Sequence, residues 1–261
     1  MLMKTAIVTG AYGAIGKAIA AGIAKNPEFK VIMLGRDPDG LKAAVEDVKK
    51  QTGNPDVEEG LLDLSLKRNI EIFSKSISEP VHILVNNAST TPRQRLETED
   101  GIEMQWAVNV LAYFYMIQAF TPHLEQAGSA RIVNVASYWA GGMDLNDPEF
   151  KRRRYHNDTA YRQSKQADRM LTRSFSELLF DRNISVNACH PGNVNSKLSN
   201  NLGYGGHESP AQGADTPVWL AISNEVDGFT GKYFEHRRET SCSFMQDTEG
   251  VKKLFELCGS Y

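Results

Sequence analysis

The 261-residue sequence predicts an α/β fold of the doubly wound type: one mostly parallel sheet of seven strands, flanked by helices on both faces. Short apolar runs of strand length alternate with longer segments of helical periodicity, which is the pattern of successive βαβ units. A glycine-rich turn also joins the first apolar run to the first helical segment, as is typical of these folds. Hydrophobic residues make up 41% of the chain and charged residues 23%, so we expect an ordinary packed core.

The elements follow one another without a linker, an internal repeat or a low-complexity segment, so a single domain, 1–261, is expected. The apolar runs predict strands at 4–9, 31–34, 57–62, 82–85, 131–136, 184–189 and 232–234. The longer periodic segments predict helices at 14–25, 41–51, 66–77, 101–126, 211–222 and 250–258, and a long one that starts near residue 159.

Two of the predicted helices indicate how the chain packs. The middle of the fourth helix, Trp106–Phe120, is apolar nearly all round, which predicts burial against the sheet and against a second neighbour. That neighbour is either another part of the same chain or a second subunit, so a homodimer stays open. The helix that starts near residue 159 carries four apolar residues on one stripe, which we assign to the core: Ala167, Leu171, Phe175 and Leu178.

Two segments have loop composition. Residues 141–157 are expected to form a polar excursion with a turn at Asp147-Pro148, and they include the basic run 151–154. Residues from about 193 to 215 include Gly203, Gly205, Gly206 and Pro210, and we expect them to form a mobile loop that orders on ligand binding.

Charge and cysteine content exclude several classes of function. The net charge of −3 gives no reason to expect a nucleic-acid or anionic-membrane partner. Cys189, Cys242 and Cys258 are too few and too far apart for a disulfide framework or a metal site. The N-terminus runs directly into the first strand, so neither a signal peptide nor a membrane anchor is expected. These features are typical of a cytoplasmic protein.

The turn after the first strand predicts a dinucleotide site and a Rossmann-type domain. Glycines let the backbone turn tightly and approach a pyrophosphate, which rests on the free N–H groups at the start of the helix. The residues expected to contact the cofactor in this turn are Gly10, Tyr12, Gly13, Ala14, Ile15 and Gly16.

The end of the second strand predicts which dinucleotide is bound. Arg36 lies 20 positions after Gly16, the separation expected for a contact with the adenosine ribose. A guanidinium pairs a 2′-phosphate, whereas a carboxylate binds a free hydroxyl, so NADP is favoured over NAD. Asp37 beside it is the reason to keep NAD as the alternative. Asp63, with Leu64 beside it, is a candidate contact for the adenine, or else an N-cap of the third helix.

Tyr161 and Lys165 are four residues apart and so share one face of the predicted long helix. Neither a phenol nor an ammonium is a useful acid or base at neutral pH by itself. Together, the ammonium favours the phenolate and lowers the tyrosine pKa, which gives a proton donor that can also take the proton back. A solvated helix face with an aromatic residue and a lysine is the simpler alternative for this pair alone.

Over essentially its whole length the chain resembles a classical short-chain dehydrogenase/reductase. The resemblance is carried, in chain order, by the glycine-rich turn, Asn86-Asn87-Ala88, Ser137, the Tyr161 and Lys165 pair and Pro191-Gly192. Several stretches are similar to the retinol-dehydrogenase-like branch: Leu34-Gly35-Arg36-Asp37, the eight residues from Ala160 to Ala167, His190-Pro191-Gly192-Asn193-Val194 and Gly231-Lys232-Tyr233-Phe234.

The resemblance implies an oxidoreductase that interconverts a carbonyl and an alcohol. Tyr161 would be the general acid/base, Lys165 would lower its pKa and hold the nicotinamide ribose, and Ser137 would bind the substrate oxygen. Asn109 would position a water molecule that relays protons from Lys165. The remaining cofactor contacts would come from Asn87, Ala88, Pro191, Gly192, Val194 and Ser196. Residues 1–135 would then bind the nucleotide, and 136–261 would supply catalysis and the substrate pocket.

The chemistry agrees with these roles, because a hydride arriving at a carbonyl carbon creates an alkoxide that needs donors already aimed at it. Tyr138, Trp139 and Met143 next to Ser137 indicate a small, apolar carbonyl or alcohol as substrate; the alternative is that these side chains simply belong to the core. The spacing of Gly13 instead matches the extended branch of the superfamily, so an NAD-binding epimerase or dehydratase is a second hypothesis. A non-catalytic protein that senses NADP is a third, disfavoured because Asn109, Ser137, Tyr161 and Lys165 are all present.

Overall fold

An eight-stranded sheet forms the centre of the protein, whose computed structural model describes residues 3–261. Its strands are β1 (Lys4–Thr9), β2 (Phe29–Gly35), β3 (Val57–Leu61), β4 (Ile83–Asn86), β5 (Ala130–Val135), β6 (Ile184–His190), β7 (Tyr233–Glu235) and β8 (Arg238–Glu239). They lie in the order β3-β2-β1-β4-β5-β6-β7-β8. The pairs from β3 to β7 are parallel, and β8 is antiparallel to β7. The predicted fold class is confirmed.

The predicted number of seven strands is wrong by one, because β8 was not anticipated. It has two residues and follows a turn in which His236 and Arg237 both have positive φ. A strand of two residues is too short to show an alternation of polar and apolar side chains, and neither turn residue is a glycine. The sequence therefore carries no local signal for β8.

Helices cover both faces of the sheet. They are α1 (Ala14–Ala24), α2 (Pro38–Thr52), α3 (Lys67–Ser76), α4 (Ala112–Gln126), α5 (Asn157–Leu178), α6 (Lys197–Asn201), α7 (Pro210–Ile222), α8 (Ser243–Gln246) and α9 (Thr248–Gly259). A π-helical turn, Trp106–Leu111, leads into α4, and short 3₁₀ turns lie at Phe180–Arg182 and Asn224–Val226. One core cluster joins α1, α2 and α7 to the sheet, and the other joins α3, α4, α5 and α9 to its opposite face.

The strands fit this two-sided burial. In β1, Ile7 faces one core cluster, while Ala6 and Val8 face the other, so the strand is apolar throughout. Parallel strands that are covered on both faces read as continuous apolar runs, which is why the sequence locates them well. The described helices include none that is both long enough and apolar enough to cross a bilayer.

Two helix predictions differ from the structure. The helix expected from residue 101 becomes helical only at 104, and it passes through the π-helical turn before α4. Leu178, assigned to the core stripe, is 52% exposed, whereas Leu179 is buried. Leu179 is the C-cap of α5, and its backbone angles, φ −103° and ψ 2°, are no longer those of an α-helix. The change of direction at the end of the helix therefore places the following leucine in the core.

The second neighbour of the apolar helix is a part of the same chain. Phe114 on α4 and Phe175 on α5 both contact Phe255 on α9, with ring centroids 5.1 and 5.2 Å apart. Phe114 and Phe175 also contact each other at 5.4 Å. The apolar surface of α4 is thus covered without a second subunit, which removes the reason for expecting a dimer through this helix.

The two predicted loops are more ordered than their composition suggested. In the segment 141–157, Asp147 is buried, and its carboxylate accepts hydrogen bonds from the backbone N–H groups of Lys151, Arg152 and Arg153. The prediction of a polar excursion is therefore wrong in part, since residues 147–150 are buried and not exposed to solvent. The segment 193–215 contains α6 and the first turns of α7, and both helices begin with a capping box.

Candidate active site

The predicted site residues gather at the carboxyl edge of the parallel strands, around the point where the strand order reverses between β1 and β4. Open α/β sheets bind their ligands at such a point, because the loops after the two strands separate there. The glycine-rich turn follows β1, Asn87 and Ala88 follow β4, and Ser137 follows β5. Pro191 and Gly192 follow β6.

Close packing explains two of the glycines in the first turn. Gly10 has φ +63°, and a Cβ there would lie 2.8 Å from the Ala88 Cα. A Cβ on Gly16 would overlap the Gly10 carbonyl oxygen and lie 2.6 Å from the Asn87 Nδ2. Gly13 has φ −75°, and the nearest atom to a Cβ there is 3.3 Å away. Geometry therefore requires glycine at 10 and 16 but not at 13.

The start of α1 is prepared for an anion. Gly13 is its N-cap and offers no side-chain oxygen to the first N–H groups, and the first turn carries no acidic residue. Free N–H groups and the positive end of the helix dipole together favour a phosphate. The turn is fixed from the side by Asn87, whose Nδ2 donates to the Thr9 carbonyl at 2.8 Å, while the Asn87 N–H donates to the Thr9 Oγ1.

A cleft of about 320 Å³ lies over this turn. Its lining includes twelve of the residues predicted to contact a cofactor: Gly10, Tyr12, Gly13, Ala14, Ile15, Gly16, Arg36, Asp63, Leu64, Asn87, Ala88 and Ser196. The cleft also extends to positions that the sequence did not single out, among them Thr90, Thr91 and Lys197. Pro191, Gly192 and Val194 do not line it, and neither do the four predicted catalytic residues.

Arg36 lies exposed at the rim of the cleft. Its side chain makes no hydrogen bond or ion pair within residues 3–261. The Tyr12 ring covers the neighbouring Gly35, so that a Cβ at residue 35 would overlap the ring. The N-cap of α3 is Leu66 and not Asp63. The Asp63 carboxylate instead accepts a hydrogen bond from the Ser65 N–H at 2.9 Å.

Tyr161, Lys165 and Ser137 come together at the start of α5 and the end of β5. All three are nearly buried, with 7%, 2% and 5% of their surface exposed. The Lys165 ammonium lies 5.8 Å from the centre of the Tyr161 ring. It donates to the Val135 carbonyl at 3.1 Å and to the Asp168 carboxylate at 2.8 Å.

The pKa of Tyr161 is shifted upward, whereas the sequence predicts a downward shift. Burial raises the pKa of the phenol above its ordinary value, while the Lys165 charge and the Ser137 hydroxyl act to lower it. The Asp168 charge acts in the same direction as burial. The lowering predicted from Lys165 is therefore present but is outweighed, and the net shift of the pKa is upward. Lys165 itself keeps its proton: burial disfavours its charge, but the Asp168 carboxylate together with the Tyr113 and Tyr161 phenols outweighs that cost and raises the Lys165 pKa.

Asn109 lies in the π-helical turn, a feature that is frequent at functional sites. Its Oδ1 accepts from the Thr90 N–H at 2.8 Å, and its Nδ2 donates to the Thr90 carbonyl at 3.1 Å. The same Nδ2 lies 3.1 Å from the Ser164 Oγ, next to Lys165 in the chain. A polar side chain buried in this apolar helix needs a partner, and these bonds supply it. Asn109 thereby joins the loop after β4 to α5.

The segment after β6 is held by Glu208. Gly192 has φ +103° and packs against the Glu208 carboxylate, which also accepts a hydrogen bond from the Asn193 N–H. Val194 is buried and forms a β-bridge with Glu208. These contacts set the direction in which the chain crosses from Pro191 to Ser196 at the edge of the cleft.

Aromatic side chains surround Tyr161. Trp139 lies 6.3 Å from the Tyr161 ring and makes an edge contact of 4.8 Å with Tyr204 from the segment 193–215. Tyr138 is half exposed and makes an edge contact with the His190 ring at 4.6 Å. Met143 instead packs on the core beside α5, so it does not belong to this group.

Around Tyr161 the sequence reasoning missed three further residues: Asp168, Arg169 and Tyr204. Arg169 is buried, and it donates to the Ser137 carbonyl and to the Tyr233 hydroxyl at 2.8 Å. A signal for Asp168 was present, since it follows Lys165 by three positions and precedes the core residue Leu171 by three. A carboxylate at that position on a half-buried helix needs a partner. Tyr204 has no such signal, because its contact with Trp139 spans 65 residues of chain.

A family model described as short chain dehydrogenase matches residues 4–205. The chain belongs to the short-chain dehydrogenase family. It is an oxidoreductase of that family, whose members use nicotinamide cofactors and act on small molecules. Within residues 3–261, no three His, Cys, Asp or Glu side chains are grouped so that they could hold a metal ion.

Relatives of this short-chain dehydrogenase include retinol dehydrogenase 13 of Mus musculus, which is 33% identical over 273 residues, 97% of this chain and 81% of the relative. The predicted resemblance to the retinol-dehydrogenase-like branch is therefore confirmed. Among solved structures, a protein of Mycobacterium Paratuberculosis matches with a TM-score of 0.83 at 24% identity, over 98% of this chain and 92% of the other. A gluconate 5-dehydrogenase candidate from Beutenbergia cavernae with bound NADP matches with a TM-score of 0.70 at 25% identity, over 88% and 94%.

Proposed function

We propose that this short-chain dehydrogenase interconverts a carbonyl and an alcohol with NADP(H), with Tyr161 as the general acid/base. The observation that carries the proposal is the meeting of Tyr161, Ser137 and Lys165 near the cleft that lies over the glycine-rich turn. In this proposal residues 1–135 of a single domain bind the nucleotide, and residues 136–261 supply the proton chemistry and the substrate pocket.

The chain's own residues fit a dinucleotide. The uncapped start of α1 would receive the pyrophosphate, and Gly10 and Gly16 leave the room that it needs. Asp63 and Leu64 would contact the adenine. Asn87, Ala88 and Ser196 line the same cleft farther along. Pro191, Gly192 and Val194 would contact the nicotinamide from the segment that Glu208 holds.

NADP is favoured over NAD by the chemistry at the end of β2. The exposed Arg36 guanidinium has no partner among the described residues, so it is available to a 2′-phosphate. A carboxylate, which would bind a free ribose hydroxyl, has no place at residue 35, because Tyr12 covers Gly35. The Asp37 carboxylate lies beside Gly40 of α2. The Beutenbergia cavernae relative, described as NAD(P) dependent, has NADP bound in its structure.

Bound NADPH would supply the hydride for the carbonyl carbon. Ser137 and Tyr161 donate hydrogen bonds to the carbonyl oxygen, and they stabilise the negative charge that develops there. Tyr161 completes the reduction by giving its proton to that oxygen. The raised pKa of the buried phenol favours this direction, since it keeps Tyr161 protonated at neutral pH.

Lys165 and Asn109 support the proton transfer. The Lys165 ammonium favours the phenolate that remains after the proton has left, and it would hold the nicotinamide ribose hydroxyls. Asn109 is the proposed position of a water relay to Lys165. Its bonds to Thr90 and Ser164 fix it between the cleft and α5.

An apolar substrate suits the surroundings of Tyr161. Trp139 and Tyr204 form an aromatic wall beside the phenol, and Tyr138 adds a half-exposed ring. The name of the mouse relative refers to retinol, an alcohol, which agrees with a carbonyl or alcohol on an apolar molecule. Tyr204 belongs to the segment 193–215, and we propose that this segment orders over the substrate when it binds.

The proposal is tested by mixing the protein with NADPH and a panel of apolar aldehydes and ketones while following the absorbance of reduced nicotinamide. We expect consumption of NADPH with at least one carbonyl and its loss in Tyr161→Phe, which keeps the ring but has no proton to give. Trp139→Phe serves as a control, because it changes the wall and leaves the acid in place. Binding of NADPH without turnover on any carbonyl, or NAD that copurifies with the protein, would contradict the proposal.

A further inference from the structure

Asp168 is a buried carboxylate that the proposed chemistry does not use. It lies on α5 one turn after Lys165, with none of its surface exposed. Its Oδ2 accepts a hydrogen bond from the Lys165 ammonium at 2.8 Å. Its Oδ1 has no hydrogen-bond partner among the described residues. A buried carboxylate with one free oxygen is costly, so its effect on the neighbouring groups must be considered.

Charged and titratable groups reach Asp168 from several elements. Burial raises the pKa of the Asp168 carboxyl to about 7, against the attraction of Lys165 and Arg169 on the same helix, so Asp168 is charged in the alkaline range. Lys165 is the group in direct contact. From α4, Tyr113 lies with its ring 5.1 Å from the Lys165 ammonium. From α9, Cys258 is close enough that the Asp168 charge adds to the effect of burial in raising the pKa of its thiol. Tyr161 is the member of the group that faces the substrate side.

The pair fixes where the Lys165 ammonium lies. An ammonium has three N–H donors, and two of them are used by Asp168 and the Val135 carbonyl. The third donor is left for a ribose hydroxyl or a water molecule. Without the carboxylate, burial would act on Lys165 with only the phenols of Tyr113 and Tyr161 to oppose it, so its charge would become less stable.

Asp168 also acts on the phenol. Its negative charge opposes the formation of a second negative charge on Tyr161, which is the opposite of the effect of Lys165. A reductase needs the phenol in its protonated form, so a carboxylate behind the lysine extends the pH range of reduction upward. The same carboxylate would delay the reverse reaction, which needs the phenolate.

We propose that Asp168 is a positioning residue that holds Lys165 in this site and, through its charge, moves to higher pH the range in which Tyr161 donates its proton. The inference rests on the proposed function of Tyr161 and Lys165. It assigns a task to a side chain that contacts neither the cleft nor the aromatic wall.

The first test is the pH profile of kcat/KM for carbonyl reduction in Asp168→Asn, which removes the charge and keeps an acceptor oxygen. Reduction declines at alkaline pH when Tyr161 loses its proton or Lys165 its charge, and we expect the decline at lower pH in the variant. Thr172→Val is the matched control, since Thr172 is buried on the same helix and donates to the Asp168 carbonyl at 2.7 Å. It should lower stability without moving the profile. Coinciding profiles for Asp168→Asn and the wild type, or a decline at higher pH, would overturn the proposal.

A second test does not depend on turnover, so it separates a failure of this inference from a failure of the proposed function. The ultraviolet absorbance of the phenolate is titrated in each protein, and the titration of the same background with Tyr161→Phe is subtracted. The remaining signal belongs to Tyr161, and we expect it at lower pH when Asp168 is replaced. Asp168→Ser, which leaves room for a water molecule, provides a second neutral variant if the asparagine does not fold. A Tyr161 signal at unchanged or higher pH in the folded variant contradicts the inference.

Discussion

The Tyr12 ring lies over Gly35 so closely that a Cβ atom at residue 35 would overlap the ring atoms Cδ1 and Cε1. While the ring lies there, the end of β2 has no space for a side chain, and therefore none for the carboxylate that binds a free ribose hydroxyl. Arg36 is then the first side chain after the strand, and it lies exposed at the rim of the cleft. A preference for NADP thus rests on a packing contact as well as on one charge.

Arg36→Asp should reverse the preference for the cofactor. The change removes a charged hydrogen-bonding partner of the 2′-phosphate, worth roughly 1.5–3 kcal/mol, so the Kd for NADPH should rise about 10-fold to 100-fold. The Kd for NADH should fall. Titration calorimetry with both cofactors measures the effect. Lys50→Asp makes the same change of charge at the far end of α2 and should leave both Kd values nearly unchanged. Equal loss of affinity for NADPH and NADH would show that Arg36 does not read the 2′-phosphate.

Gly16→Ala and Gly13→Ala should behave differently although they lie three residues apart. At residue 16 the new Cβ overlaps the Gly10 carbonyl, and backbone atoms cannot move aside without opening the turn. We expect Gly16→Ala to lose about 2 kcal/mol or more of unfolding free energy and to bind NADPH weakly. Gly13→Ala should fold and bind nearly as the wild type. Thermal unfolding and calorimetry report both effects, and comparable damage from the two substitutions would contradict the packing argument.

His190 should make the protein less stable in acid. Burial lowers the pKa of its ring from 6.5 to about 3, and the charges of His236 and Arg169 act in the same direction. Below about pH 6.5, His190 therefore binds a proton in the unfolded chain but stays neutral in the folded protein. The contribution of His190 to the unfolding free energy is fully present above that pH, and it is lost as the pH decreases toward the pKa of the folded state. At pH 5 the loss is about 2 kcal/mol.

His190→Phe keeps a ring against Tyr138 and removes the titration. Urea unfolding at pH 7.5 and pH 5 should show that the variant loses about 2 kcal/mol less than the wild type between the two conditions. An identical loss in both proteins would mean that the acid sensitivity comes from other groups. His82 is one such group, because its pKa is also lowered.

The cover that α9 provides over α4 predicts a protein that elutes as a monomer. Phe255 completes the aromatic contacts with Phe114 and Phe175, so Phe255→Ala should cost about 2–4 kcal/mol and lower Tm by several degrees. Ile72→Ala, at an exposed position on α3, is the control and should cost less than about 0.5 kcal/mol. A wild-type protein that elutes as a dimer, and that Phe255→Ala converts to a monomer, would contradict the conclusion that α9 of the same chain covers α4.

The sequence was most informative where one local rule governs the structure. The parallel strands are covered on both faces, so their apolar runs mark them, and the glycine-rich turn is placed by its flanking strand and helix. Gly10 and Gly16 are required by contacts with Ala88 and Asn87, more than 70 residues away, yet glycine at those positions was visible in the pattern. The same pattern could not show that a Cβ at Gly13 would be close to the Gly10 carbonyl oxygen without overlapping it.

Long-range contacts and opposed effects were beyond the sequence. The contact of Tyr204 with Trp139 and the cover of Phe114 by Phe255 depend on where distant segments cross. The pKa of Tyr161 depends on a balance: Lys165 was recognised from its spacing, but burial and Asp168 act against it, and their size follows only from the folded environment.

Transfer of a hydride under control of Tyr161 is tested most directly by isotope transfer from NADPH that carries deuterium at both C4 positions. The protein is incubated with this cofactor and a carbonyl that it consumes, and the alcohol is examined by mass spectrometry. We predict one deuterium on the carbinol carbon for every cofactor oxidised, and no labelled alcohol from Tyr161→Phe. An alcohol without deuterium, or the same labelled yield from Tyr161→Phe, would contradict the account.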